Sequence, residues 1–164
     1  MIKRFHTERL KTRLPINCIF CGMRASGKSV TASFLLNVLK DEFDLVISFL
    51  GSPHCNPDVS NLLDQHFDIR FQFSEWKPKL IETLIAQQLE HLKVGKRRNV
   101  LILIDDCSLD SKAKDQISTL AMRARHYFIS LFCISVSYTT FPKQVRRSAD
   151  ILFLFSLGSV SGIF

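Results

Sequence analysis

Eight consecutive residues, Gly22–Ser29, have the types and the spacing that bind a nucleoside triphosphate. They read Gly-Met-Arg-Ala-Ser-Gly-Lys-Ser and match the pattern Gly-x-x-x-x-Gly-Lys-[Ser/Thr] at every fixed position. The two glycines permit a tight turn whose backbone N–H groups point at phosphate oxygens, and the helix that follows adds the partial positive charge of its N-terminus. The pattern therefore predicts a phosphate loop that holds ATP.

Two side chains of this loop have predicted roles of their own. The Lys28 ammonium is expected to reach the β- and γ-phosphates, and the Ser29 hydroxyl to ligate Mg²⁺. The loop follows an apolar run and opens a segment of helical period, which is the context that the motif requires. The predicted ATP-binding residues are Gly22, Met23, Arg24, Ala25, Ser26, Gly27, Lys28, Ser29 and Val30.

A second motif, a pair of acidic residues, lies about 80 residues downstream, where the apolar run Val100–Ile104 ends in Asp105 and Asp106. Ligands of open α/β sheets bind beyond the carboxyl ends of the strands. We therefore assign Asp105 to the metal and Asp106 to the attacking water. A solvated turn after a strand is the alternative. Many ATPases that carry these two motifs have Glu at the second acidic position, so the shorter Asp106 predicts slower hydrolysis.

Length and composition predict one soluble domain. The chain has 164 residues, of which 46% are hydrophobic and 23% charged. We expect a basic N-terminal segment over residues 1–14 and a nucleotide-binding core over residues 15–156. The net charge of +7 favours a polyanionic partner such as nucleic acid, although solvated surface charge explains the basic clusters equally well.

No segment predicts a membrane span or a disulfide framework. The apolar stretch Ile151–Phe164 is diluted by serine and glycine and is shorter than the roughly 20 residues that a spanning helix needs. The N-terminus does not resemble a secretory signal, so an intracellular location is expected. Cys18 and Cys21 lie three apart on a predicted strand and should face opposite sides, which favours buried thiols over a shared metal.

Short apolar runs alternate with segments of helical period, which predicts an α/β fold. It would be a three-layer sandwich with a mostly parallel central sheet and helices on both faces. The predicted strands are Ile16–Cys21, Leu45–Leu50, Ile69–Phe73, Val100–Ile104, Phe128–Val136 and Ile151–Phe155. The predicted helices are Lys28–Leu39, Pro78–Val94, Ser111–Arg123 and a short one near Lys143–Ser148.

The second half of the chain carries a family resemblance. After the acidic pair come Met122-Arg-Ala-Arg-His126, a long apolar strand, and Phe141-Pro-Lys-Gln-Val-Arg146. In this order the motifs resemble the genome-packaging ATPases of large double-stranded DNA viruses, the poxvirus-type branch of the FtsK–HerA superfamily. The resemblance covers most of Ile16–Phe155. It implies a P-loop ATPase of RecA/FtsK–HerA-like fold.

The resemblance also implies a mechanism and partners. The protein would form a ring of five or six copies that threads double-stranded DNA into a capsid, with capsid or portal components as partners and the virion or viral assembly site as its location. A neighbouring subunit would insert an arginine beside the γ-phosphate. Arg125 is the first candidate, followed by Arg123 and Arg146. A helix-terminal charge or a DNA phosphate contact is the alternative for Arg123 and Arg125.

The same resemblance implies a polar sensor at the end of the long strand. Relatives of this kind usually carry Gln or Asn there, whereas this chain has Ser137, whose hydroxyl has a shorter reach. Two other functions fit the sequence. A small-molecule P-loop kinase would explain the size and the loop equally well. A nucleotide switch without turnover would explain Asp106 and the missing amide.

Overall fold

The central layer is a six-stranded sheet, seen in a computed structural model that describes residues 7–51, 57–68 and 71–156. Every pairing within these residues is parallel, and the order is β3-β2-β4-β5-β1-β6. The strands are β1 (Asn17–Cys21), β2 (Leu45–Leu50), β3 (Gln72–Phe73), β4 (Val100–Asp105), β5 (Ile129–Ser135) and β6 (Ile151–Leu154). The predicted parallel sheet is confirmed.

Helices cover both faces of the sheet, as the sequence predicts. They are α1 (Glu8–Lys11), α2 (Lys28–Leu39), α3 (Pro57–His66), α4 (Pro78–Lys93), α5 (Ser111–Arg123) and α6 (Lys143–Arg147). Buried side chains of α1, α2 and α3 pack on one face, and those of α4, α5 and α6 on the other. The strands β1, β4 and β5 are buried on both faces, which explains their nearly continuous apolar sequence.

The sequence-based element bounds are correct to about one residue except around β3. Helix α3 was missed, although Pro57 suits a first helical turn and Val59 and Leu63 both reach the core. The predicted strand Ile69–Phe73 is too long, since Phe71 precedes the two paired residues of β3 and residues 69 and 70 lie outside the described part. Residues 1–6 and 157–164, to which the predicted basic segment and apolar end extend, also lie outside it.

The two cysteines of the first strand face opposite sides, as predicted. Cys18 belongs to the core under α2, and Cys21 to the core under α5. Burial raises the pKa of the Cys18 thiol and raises that of Cys133 to about 12, so both are protonated at neutral pH. Among the described helices, none has the length and apolar character needed to cross a bilayer.

A buried glutamine connects α4 to the starts of the two central strands. Gln88 is 3% exposed, and its amide nitrogen donates to the backbone carbonyls of Arg98 and Tyr127 at 2.7 Å each. Arg98 precedes β4 and Tyr127 precedes β5. One side chain therefore satisfies two carbonyl groups that the packed helix would otherwise separate from water.

Replacing this glutamine should destabilise the domain. We expect Gln88→Ala to lower the free energy of unfolding by about 2 kcal/mol, because two backbone carbonyls lose their donor. Gln87→Ala is the matched control, since Gln87 is exposed on the same helix and should change stability by less than about 0.5 kcal/mol. Urea unfolding of both variants measures the difference. Equal stabilities would show that water replaces the amide.

Candidate nucleotide site

The parallel sheet brings the two predicted motifs to the same edge. The phosphate loop follows β1, and the acidic pair ends β4. Strand β5 lies between them, with Cys21 opposite Ser135 and Asp105 opposite Ile134. Two strand spacings separate the backbones of Cys21 and Asp105 by about 10 Å. This separation lets one triphosphate and its metal ion contact both motifs.

The loop has the backbone shape that directs amides at an anion. Gly27 caps α2 with a φ of 96°, and Ala25 has a φ of 57°, so both lie in the left-handed region. The bond from the Thr31 N–H to the Gly27 carbonyl, 3.0 Å long, starts the helical ladder. The amides of residues 28–30 therefore precede that ladder and point out of the helix N-terminus.

Lys28 lies inside the loop. Its side chain is 7% exposed, and its ammonium donates to the Met23 carbonyl at 2.6 Å. The Met23 N–H in turn donates to the carbonyl of Ser156, at 2.8 Å. The lysine is thus retracted onto its own loop, where a phosphate oxygen could take the place of the carbonyl as acceptor. Arg24 is exposed and lies beside this point in sequence.

The two carboxylates differ in exposure in the way that their predicted roles require. Asp105 is 2% exposed at the end of β4, whereas Asp106 is exposed and adopts a φ of 45°. The Asp106 N–H donates to the Ile134 carbonyl at 3.3 Å, which fixes the turn to β5. A buried carboxylate and a hydroxyl such as that of Ser29 are oxygen donors of the kind that Mg²⁺ prefers. The exposed carboxylate is accessible to water.

Gly51 supports this acidic turn and was not identified from the sequence. Its N–H donates to the Asp105 carbonyl at 3.0 Å, and a Cβ added at Gly51 would lie 2.1 Å from the Asp106 carbonyl oxygen. No side chain fits that space. A glycine directly after the apolar strand Leu45–Leu50 was the available signal for a close backbone approach.

Ser135, which ends β5, and Ser137, the predicted sensor, make different contacts in the structure. The Ser137 hydroxyl bonds to the Thr139 hydroxyl at 2.9 Å and accepts from the Thr139 N–H, so it caps the short 3₁₀ helix Tyr138–Thr140. Ser135 is 2% exposed and pairs with Cys21, and its backbone carbonyl accepts the Gly22 N–H at 3.3 Å. Its hydroxyl donates to the Thr140 hydroxyl at 2.9 Å and accepts the Ser137 N–H at 3.2 Å.

Two of the three candidate arginines lie at the opposite edge of the sheet. Arg125 forms an ion pair with Asp150, whose second carboxylate oxygen accepts the Asn17 N–H at 2.8 Å. Asn17 starts β1 and is five residues from Gly22, or about 16 Å along the strand. Arg123 ends α5 and is exposed at this same edge. Neither arginine can reach the phosphate loop of its own chain.

Arg146 lies on the α5 side of the sheet. Its guanidinium is 5.1 Å from the centroid of the Tyr138 ring, and its Nε donates to the Phe141 carbonyl at 3.1 Å. It lines a cavity of about 540 Å³ between α5 and residues 139–146. This cavity is a separate feature from the phosphate loop, since none of its lining residues belongs to the loop or the acidic pair.

Three solved structures share this fold. The cytoplasmic domain of EssC superposes with a TM-score of 0.69 and 14% identity, over 90% of this chain and 34% of that one. The pCW3 conjugation coupling protein TcpA, solved with ATPγS, gives 0.54 and 15% over 82% of this chain and 47% of its own. Trip13 of Rhizobiales gives 0.50 and 14% over 90% of this chain and 48% of its own.

At these identities the likeness shows the fold alone. The chain spans between about a third and a half of each of these three proteins. No protein-family model matches the chain, and no curated protein matches it. The predicted fold class is confirmed.

The contact between Gly51 and the acidic turn can be tested by substitution. We expect Gly51→Ala to displace the Asp106 carbonyl, to cost about 1–3 kcal/mol of stability and to lower ATP turnover by roughly tenfold or more. Gly95→Ala is the control, because Gly95 has a φ of 71° and nothing within 4 Å of an added Cβ. It should lose stability through backbone strain while turnover stays at the parent level. Turnover equal in both variants would contradict the supporting role of Gly51.

Proposed function

We propose that this chain is a Mg²⁺-dependent ATP hydrolase that translocates double-stranded DNA. The proposal rests on one observation: the phosphate loop and the acidic pair Asp105 and Asp106 lie at the same sheet edge, on either side of β5. TcpA, which shares this fold, was solved with ATPγS, and this supports a nucleotide ligand at the corresponding edge.

Each motif residue has a role in hydrolysis under this proposal. The loop amides and Lys28 hold the phosphates, and Ser29 and Asp105 hold Mg²⁺, which when bound neutralises charge on the β- and γ-phosphate oxygens. Asp106 orients a water and accepts its proton as the water oxygen attacks the γ-phosphorus. The bond from that phosphorus to the bridging oxygen breaks, so ADP leaves with the oxygen and phosphate is released.

Assembly is part of the proposal because of where Arg125 lies. It is at the edge opposite its own phosphate loop, so it can act only on the nucleotide of a neighbouring subunit, in a ring of five or six copies. To do so it must exchange the Asp150 carboxylate for the γ-phosphate, two anions that a planar guanidinium binds alike. Arg123 and Arg146 are the second candidates for this role, and Ser137, which follows β5, is the candidate sensor.

The fold supports a DNA partner by gathering basic residues that are distant in sequence. Strands β4 and β5 are neighbours, so the segments that precede them meet at the amino edge of the sheet. The Arg97 guanidinium lies 5.2 Å from the centroid of the Phe128 ring there. We call this set the amino-edge cluster: Lys96, Arg97, Arg98, Arg123, Arg125 and His126. Such a cluster suits a phosphate backbone.

Packaging of viral DNA into a capsid is the finer part of the proposal. It rests on the sequence resemblance of the motifs between Ile16 and Phe155, and it implies capsid or portal components as partners. The observations that bear on it most directly are the loop, the acidic pair and the basic edge, which a DNA motor needs in any setting.

Steady-state ATP turnover tests the proposed function. We expect turnover to rise with double-stranded DNA and with protein concentration, because the site is shared between subunits. Asp106→Asn should retain ATP binding and lose turnover by about a hundredfold or more, since the amide cannot accept the proton of water. Turnover only with an added phosphate acceptor would indicate a kinase. ATP binding without turnover under every condition would indicate a switch.

Substituting two arginines of the amino-edge cluster, one at a time, distinguishes a role in hydrolysis from a role in DNA binding. Arg125→Ala should bind ATP normally and lose turnover with or without DNA, by about a thousandfold. Arg97 is exposed on the same edge, so Arg97→Ala is the matched control and should retain the turnover measured without DNA. It should lose DNA affinity and lower the salt dependence of DNA binding by about one unit of slope. An Arg125→Ala protein that behaves like Arg97→Ala would assign Arg125 to DNA instead.

A further inference from the structure

The backbone that follows β6 runs alongside the phosphate loop. The last paired residues of β1 and β6 are Cys21 and Leu154. Beyond them, the Phe155 N–H donates to the Cys21 carbonyl at 2.9 Å, and the Met23 N–H donates to the Ser156 carbonyl at 2.8 Å. The parallel ladder therefore continues past the ends of both strands and reaches into the loop.

One side chain lies beside both fixed glycines of the motif. A Cβ added at Gly22 would lie 2.6 Å from the Phe155 Cβ, and one added at Gly27 would lie 3.8 Å from the edge of the Phe155 ring. Gly22 does not have a left-handed φ, so backbone conformation does not explain its glycine. The contact with Phe155 does explain it, since no larger residue fits against that side chain.

The same segment is connected to the lysine of the loop. The Ser156 carbonyl holds the Met23 N–H, and the carbonyl of Met23 holds the Lys28 ammonium. The position of the strand end thus sets the position of the peptide on which Lys28 rests. A binding loop that is fixed in its competent shape before the ligand arrives loses less entropy on binding.

We propose that Phe155, together with the Ser156 carbonyl, is a brace that positions the phosphate loop and thereby sets its affinity for nucleotide. This inference rests on the proposed nucleotide function of the loop. Phe155 is a positioning residue: it acts through Gly22, Gly27 and Met23. The brace directly follows β6 and lies outside both nucleotide motifs.

The chain offers a matched control two residues away. Phe153 lies within β6, on the same face as Phe155, and is half-buried. Its ring stacks on Phe20 at a centroid distance of 4.7 Å. Both residues pack against the core under α2. Phe153 therefore packs as a core aromatic residue. None of its atoms is among the nearest neighbours of a Cβ added at Gly22 or Gly27.

The first experiment compares nucleotide affinity with stability. We expect Phe155→Ala to weaken ATPγS binding about tenfold and Phe155→Leu about threefold, measured by calorimetry with Mg²⁺. Phe153→Ala and Phe153→Leu should lower the unfolding temperature by at least as much and change the dissociation constant by less than about twofold. Affinity that falls equally in both pairs, or in neither, would overturn the proposal.

A double-mutant cycle tests the contact itself. Gly22→Ala should weaken ATPγS binding strongly, by about a hundredfold, because its new Cβ meets the Phe155 Cβ. Phe155→Gly removes that atom and should reduce the cost of Gly22→Ala to below about tenfold, whereas Phe155→Ala keeps the atom and should not. If Gly22→Ala weakens ATPγS binding equally in the Phe155→Gly and Phe155→Ala proteins, Gly22 is required for another reason.

Hydrogen exchange separates failure of the brace from failure of the proposed function. Without nucleotide, peptides covering residues 22–29 should exchange faster in Phe155→Ala than in Phe153→Ala, because the Ser156 carbonyl that accepts the Met23 N–H is held less rigidly. A parent protein that does not bind ATPγS would refute nucleotide binding and leave this readout intact. Equal exchange in the two variants would overturn the brace whatever the ligand.

Discussion

The parallel pairing of β1, β5 and β4 is the constraint on which every functional contact in this chain depends. It fixes Cys21 opposite Ser135 and Asp105 opposite Ile134, so both motifs end at one edge, two strands apart. Because side chains alternate along a strand, a shift of one residue would turn the apolar set of a strand to the wrong face. The same burial that holds the sheet together therefore holds the nucleotide site in register.

Close backbone contacts from other strands give the site its final shape. Gly51, at the end of β2, packs on the carbonyl of Asp106, and Gly22 packs on Phe155 beyond β6. Neither contact leaves room for a side chain, and each joins a motif residue to an element far away in sequence. Rigid placement of this kind matters for phosphoryl transfer, where catalysis is mostly positioning and electrostatic stabilisation.

The two edges of the sheet have different chemistry. The carboxyl edge carries the phosphate loop and the acidic pair, whereas the amino edge carries Arg97, Arg125 and their basic neighbours. Helix α5 follows the acidic pair and runs back to Arg123, so it connects the two edges directly. The acidic pair and the basic edge are therefore joined by one helix of 13 residues.

The sequence by itself determined the phosphate loop, the acidic pair and the α/β class, because these depend on local spacing and on apolar runs that strands buried on both faces require. It did not identify α3, Gly51 or Phe155. Only the tertiary structure decided which strands are neighbours and which glycines meet a carbonyl or a ring. Those contacts join residues far apart in the chain, and no local pattern records them.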